Sequence, residues 1–229
     1  MNARNNRPTS PDDPHGAQPI SITGPTPESA PATLILLHGR GDSADGILSL
    51  YDNIGLDRLA AIAPQAAGNT WYPQSFLAPL EANQPYLDSA LQKIESIVSD
   101  LLSRNIRSER IAFLGFSQGA CLTTEYLARH PRRYGAAMAL TGGLIGPPGT
   151  ARNYPGLLFN TPIFLGANDP DPHVPFERVR ETETVLARMG AKVQLRRYPG
   201  LPHTINEDEI NICRDILRDL ISQHSKGEK

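Results

Sequence analysis

Arg110-Ile111-Ala112-Phe113-Leu114-Gly115-Phe116-Ser117-Gln118-Gly119-Ala120-Cys121-Leu122 is the stretch whose reading decides the fold. Residues 110–114 form an apolar run of strand length. Residues 120–130 read as a helix that stops before Pro131. The turn between them is G-x-S-x-G, Gly115 to Gly119. So short a passage from strand to helix is very sharp, and a side chain two residues either side of Ser117 would collide with its neighbours. Glycine at both flanks removes those side chains and tolerates the dihedrals the turn demands. The turn lifts the Ser117 hydroxyl above the sheet. It also sets the Gln118 N–H at a helix N-terminus, where developing negative charge is favoured. The plain alternative is a tight strand–helix turn with no chemistry. A base, an acid and a second N–H elsewhere in the chain decide between the two.

Working outward, Ala32-Thr33-Leu34-Ile35-Leu36-Leu37 is a continuous apolar run, as expected of a strand buried on both faces. It ends in His38-Gly39-Arg40-Gly41-Asp42, after which Asp42 or Ser43 can cap a helix carrying Ile47, Leu48 and Tyr51. Leu59–Pro64 is another buried strand. The segment from Gln65 to Pro85 is long and without period, which suits a functional loop. Tyr86 to Arg104 has one apolar face and reads as an amphipathic helix. Further strands are expected over 135–140, 162–166 and 192–198, the last nearer a sheet edge. Helices follow from about Pro175 to Met189, stopping at Gly190, and from Asn206, with Glu209 completing a capping box. Ile20–Gly24 alternates like a short edge strand. Strands alternating with helices predict an α/β fold with a mostly parallel sheet covered on both faces. Residues 1–31 read as a Pro-rich tail and linker, partly disordered, whose first 19 residues bury little. Residues 32–229 read as a single α/β domain.

Composition narrows the function. The chain has 229 residues and a formal net charge of −2, with its arginines scattered, so there is no electrostatic case for nucleic acid or an anionic membrane. Cys121 and Cys213 fall at apolar helix positions and are expected to be buried free thiols. The polar N-terminus precedes no apolar signal region, and no stretch is long enough to span a bilayer, so the cytoplasm is the expected location. A monomer or a homodimer suits this composition equally.

The groups needed to activate Ser117 are sought beyond it, in the order serine, acid, histidine. Asp169 and Asp171 in Asn168-Asp169-Pro170-Asp171-Pro172-His173-Val174-Pro175 are both acid candidates, at the carboxyl edge of the sheet. Both are also ordinary turn residues before proline. His203, in the loop between the last strand and last helix, is the base candidate, with His173 as its rival. The loop His38–Asp42 offers the Arg40 N–H as the second donor to an oxyanion beside Gln118. Gly-rich phosphate motifs, paired Cys-x-x-Cys and H-E-x-x-H are missing from the sequence, so neither metal nor organic cofactor is expected.

Taken together, residues 36–42, 115–120 and 171–175 and the late His203 resemble the phospholipase/carboxylesterase family of α/β-hydrolases, which includes acyl-protein thioesterases. The resemblance spans roughly residues 32–222. It implies the α/β-hydrolase fold, with Ser117 as nucleophile, Asp171 rather than Asp169 as acid, His203 as base, and the N–H groups of Arg40 and Gln118 as oxyanion hole. The thioesterase members usually carry leucine where this chain has Arg40. The reaction implied is hydrolysis of a small-molecule carboxylic ester, or of a thioester or lysophospholipid. A lactone hydrolase, a peptidase and a non-catalytic ligand-binding domain are the alternatives. Trp71, Tyr72, Phe76 and Leu77 are candidates to line an acyl pocket, with Leu144 and Ile145 opposite; packing of a long loop onto the domain is the equal alternative. The Arg40 side chain is expected to face solvent. Its alternative is the pocket mouth, where it would favour acids or phosphates.

Overall fold

The computed structural model describes residues 10–225. Its centre is a seven-stranded sheet in the order β1-β3-β2-β4-β5-β6-β7. The strands are β1 (Ile20–Thr23), β2 (Ala32–Leu37), β3 (Leu59–Pro64), β4 (Ile111–Phe116), β5 (Ala136–Leu140), β6 (Pro162–Asp169) and β7 (Lys192–Pro199). Only β1 is antiparallel, running against β3 at one edge. The remaining pairs are parallel. The helices are α1 (Ala44–Ile54), α2 (Tyr86–Ser103), α3 (Gln118–Arg129), α4 (Phe176–Arg188) and α5 (Glu207–Ser225).

Strand periodicity divides the core in two. Ile35, Leu37, Phe113 and Leu165 pack on one face with residues of α2, α3 and α4, including Leu91, Leu122 and Val179. Leu34, Leu36, Leu114 and Phe164 pack on the other with Ile47 of α1 and Leu217 of α5. The apolar runs are continuous because successive side chains go to opposite faces and both faces are covered. The caps fall where the sequence places them. The Ser43 hydroxyl accepts from the Gly46 N–H at the start of α1. The Asn206 N–H donates to the Glu209 carboxylate while Glu209 N–H donates to Asn206 Oδ1 before α5. Gly190 follows α4 with φ 82°.

The structure departs from the sequence reading in two places that matter. The edge strand expected over Ile20–Gly24 forms as β1, paired along β3, and the departure lies in the segment before it. Residues 10–18 bury more than a tail should. His15 is fully buried. Its backbone N–H donates to Ser89 Oγ of α2 at 2.9 Å, and Lys93 of the same helix donates to the carbonyls of Gly16 and Gln18. The turns satisfy their own polar groups and α2 supplies the rest, so a Pro-rich segment can pack without being a helix or strand. Residues 1–9 of that tail lie outside the described residues. In the second departure β6 runs on to Asp169, since β7 pairs with it up to Pro199. Asn168 and Asp169 therefore belong to the strand, and the loop starts after them.

Candidate active site

Ser117 sits between β4 and α3 with φ 54° and ψ −117°, a conformation costly for a residue with a side chain. The strand end and helix start hold it there. Its N–H donates to Leu140 O of β5 at 3.0 Å, and its carbonyl accepts from Cys121 N–H at 3.0 Å. The two glycines are required by space. A Cβ on Gly115 would come within 2.3 Å of Gly119 O, and one on Gly119 within 2.0 Å of Leu37 O. The second contact presses the first turn of α3 against the end of β2. That brings the loop after β2 beside the serine: a Cβ on Gly39 would lie 3.6 Å from Ser117 Cβ.

His203 and Asp171 arrive from the loops after β7 and β6. His203 Nε2 lies 2.8 Å from Ser117 Oγ. Its Nδ1 lies 2.7 Å from Asp171 Oδ2. With Nδ1–H donating to the carboxylate, Nε2 is left as the acceptor for the serine proton. The Asp171 carboxylate is fully buried, and its other oxygen accepts from the N–H groups of His173 and Val174 at 2.7 and 2.9 Å. Asp169 turns away to pair with Arg197. His173 remains exposed, its ring edge-on to that of His203 at 5.0 Å. Of the two acids and two histidines left open by position, the structure brings Asp171 and His203 to Ser117.

Arg40 and Gln118, whose N–H groups are the expected oxyanion donors, both line the cleft that holds Ser117 and His203. Among the described residues neither N–H has a hydrogen-bond partner. The loop carrying Arg40 is fixed from below. Buried His38 donates from Nδ1 to Gly39 O at 2.7 Å, and accepts at Nε2 from Ala66 N–H at 3.1 Å. Burial lowers the pKa of this imidazole, which suits a ring that must keep one bare nitrogen. Trp71 Nε1 donates to His38 O at 2.9 Å.

Four side-chain roles here escape a reading by motif. The Gln118 amide pairs with the loop after β3, accepting from Trp71 N–H and donating to Tyr72 O, both at 2.8 Å. The Arg40 guanidinium donates to the carbonyls of Tyr72, Pro73 and Gln74 at 2.9, 2.9 and 2.6 Å. The residue is exposed, as expected, but these bonds tether its head. Asn168 Nδ2 donates to Pro202 O and Thr204 O, at 2.6 and 2.8 Å, gripping both neighbours of His203. His15 accepts from Ala67 N–H and donates to Trp71 O, at 3.0 and 2.9 Å, from a segment with no motif at all. Gln118 and Arg40 carry a sequence signal, from the elbow and from the loop after β2, but neither signal reaches these side-chain bonds.

The cleft has a volume of about 560 Å³. Tyr72, Phe76 and Leu77 line it, with Val174 and Pro175 facing them. Trp71 and Leu144 do not line it, contrary to expectation. Trp71 is fully buried beneath, its ring between those of His15 and His38. Leu144 and Ile145 are core residues, because their backbones are held inward. Arg178 donates to Leu144 O at 2.7 Å, and buried Glu125 accepts from Ile145 N–H at 3.0 Å. Cys121 borders the cleft one helical turn past Ser117, and burial pushes its thiol up to about 12, so it stays protonated. Both cysteines are free and buried. Among the described residues no helix is long and apolar enough to cross a membrane.

Comparison with known proteins places this geometry in a family. Acyl-protein thioesterase 1 of Candida albicans is 26% identical over 218 residues, covering 85% of this chain and 94% of the relative. A probable carboxylesterase of Arabidopsis thaliana, SOBER1-like, is 25% identical over 219 residues, covering 87% of this chain and 83% of the relative. The crystal structure of a phospholipase/carboxylesterase from Dyadobacter fermentans superposes with a TM-score of 0.84 at 47% identity, covering 87% of this chain and 96% of that one. The family model described as Phospholipase/Carboxylesterase matches residues 21–221. On these matches, and on its mostly parallel sheet, the chain is a hydrolase belonging to the phospholipase/carboxylesterase family of α/β-hydrolases.

Proposed function

We propose that the protein hydrolyses carboxylic esters or thioesters through an acyl-enzyme formed on Ser117. The observation that carries this is the continuous chain of contacts from Ser117 Oγ to His203 Nε2 at 2.8 Å and from His203 Nδ1 to Asp171 Oδ2 at 2.7 Å. His203 takes the Ser117 proton as Oγ attacks the carbonyl carbon. The Arg40 and Gln118 N–H groups hold the oxygen as it gains charge. His203 gives the proton to the departing alcohol or thiol. Water then enters, His203 takes its proton as the water oxygen bonds to the acyl carbon, and the bond from that carbon to Oγ breaks, freeing the acid as His203 returns the proton to Oγ. Asp171 keeps the imidazole in the productive tautomer and stabilises it while it is charged.

The names of the relatives support both leaving groups, since they include a thioesterase and a probable carboxylesterase. The test is labelling with a fluorophosphonate, alongside turnover of 4-nitrophenyl esters. Wild type is expected to label and turn over. Ser117→Ala is expected to keep its thermal unfolding transition, to lose labelling, and to lose turnover by about 10³-fold or more. Equal labelling or turnover in the variant would remove Ser117 from the reaction.

A further inference from the structure

We propose that the substrate is an ester or thioester that carries an anionic group, a carboxylate or a phosphate, bound by the Arg40 side chain at the mouth of the cleft. This rests on the acyl-enzyme reading and adds a substrate class to it. Arg40 borders the same cleft as Ser117 and His203. Among the described residues lining that cleft it is the only arginine or lysine, and none is an aspartate or glutamate. Its charge has no ion-pair partner among the described residues, whereas Arg152, Arg178, Arg196 and Arg197 all have carboxylates.

The donor count sharpens the point. A guanidinium has five N–H groups in a fixed fork. Two on Nη2 go to Tyr72 O and Gln74 O, and one on Nη1 goes to Pro73 O. Those carbonyls fix the fork in place without neutralising it. The Nε–H and the second Nη1–H are left over on different edges of the guanidinium, so an anion meets them as single donors beside an uncompensated charge. The fork is thus oriented before any ligand arrives, which lowers the entropic cost of binding one. His173, exposed on the facing wall, supplies a further polar group and no competing negative charge. Because the Arg40 N–H and the Arg40 guanidinium belong to one residue, the anion lies one arginine side chain from the reacting carbonyl, on the same molecule of substrate. The overall charge of −2 offers such a substrate no general attraction, so recognition falls to this one local cation.

Two matched ester pairs separate the possible positions of the charge. The 4-nitrophenyl monoester of adipic acid, against its methyl-capped form, places the charge on the acyl half. 4-Acetoxybenzoate, against its methyl ester, places it on the alcohol half. In at least one pair, wild-type kcat/KM is expected to favour the charged member by about tenfold. Arg40→Met should bring that ratio to about one, with Arg40→Lys in between. Rising ionic strength should lower kcat/KM for the charged member and leave the neutral one level. That measurement needs only wild type, so it decides the matter even where Arg40→Met unfolds. Wild-type preference for the neutral member in both pairs would overturn the proposal. So would a ratio unchanged in Arg40→Met, or one insensitive to salt. Failure of all four esters together with failure of fluorophosphonate labelling would instead count against the acyl-enzyme reading.

Discussion

Asp169 and Asp171 are two residues apart and chemically identical, yet their surroundings give them different work. Asp171 is fully buried, accepts from two backbone N–H groups, and turns its remaining oxygen to His203. Asp169 is partly exposed and paired with Arg197, itself about half exposed, where an ion pair contributes little. Asp171→Asn is therefore expected to lower kcat by about 10³- to 10⁴-fold, since an amide donor facing Nδ1 favours the wrong tautomer. Asp169→Asn should cost no more than about threefold, as an exposed pair is worth under about 1 kcal/mol. Steady-state kinetics on a single neutral ester compares the two. A larger loss in Asp169→Asn would reverse the assignment.

The loop after β3 is the element on which the site's walls depend, and it is braced from both sides. Gln118 and Arg40 hold it from the side of Ser117 through Trp71, Tyr72 and their neighbours. His15 holds it from the other, through Ala67 N–H and Trp71 O. The family match begins at residue 21, so this second brace comes from outside it. His15→Ala removes both ring bonds and leaves a void beside Trp71. It should cost about 2–4 kcal/mol by urea unfolding, and lower kcat several-fold as the Trp71–Gln118 pairing loosens. The pH dependence has a definite sign. Burial lowers the His15 pKa below its usual 6.5, so the unfolded chain takes up a proton before the folded one does. Its contribution to stability is present above about pH 6.5 and is lost as pH falls through the folded pKa. The acid side of the stability profile should flatten in His15→Ala. An unchanged profile and unchanged stability would show that the brace bears nothing.

Across the whole molecule, what could be read in advance was what local pattern encodes. Leu34 and Ile35 announce a strand covered twice, and Gly115 and Gly119 announce the elbow, because neighbouring residues alone decide such features. The acid and histidine are sought in the order usual for α/β-hydrolases, and the choice of Asp171 over Asp169 rests on the family resemblance. Contacts between distant segments leave no such trace. Nothing near Arg40 says that it will reach Gln74, and nothing near His15 says that it will meet Trp71. An aromatic residue in a long loop lines a cleft or anchors the loop equally well by sequence, and burial decided for anchorage at Trp71. Glu209 shows the same divide. Its capping box is legible, but its deep burial beside Gly166, where a Cβ would meet Oε1 at 1.9 Å, is not. That burial pushes its carboxyl up to about 7 from 4.5. Between those values the unfolded chain has released the proton and the folded one has not. The folded state therefore loses relative stability as pH rises through this window, by on the order of 3 kcal/mol. Glu209→Gln has no proton to release, so its stability should gain on wild type between about pH 5 and about pH 8 in paired urea titrations. A constant difference would mean that Glu209 ionises freely in place.

The backbone at Ser117 has one more consequence, which concerns evolution rather than mechanism. Dihedrals of 54° and −117° cost a residue with a Cβ on the order of 1–3 kcal/mol, and cost glycine almost nothing. The position where the chemistry is proposed to occur is thus one where the fold itself would favour another amino acid. A lineage that needed only a stable protein would drift to glycine at 117. On the proposed chemistry, selection for turnover is what would hold serine there, and its loss would show first as a sturdier, silent descendant.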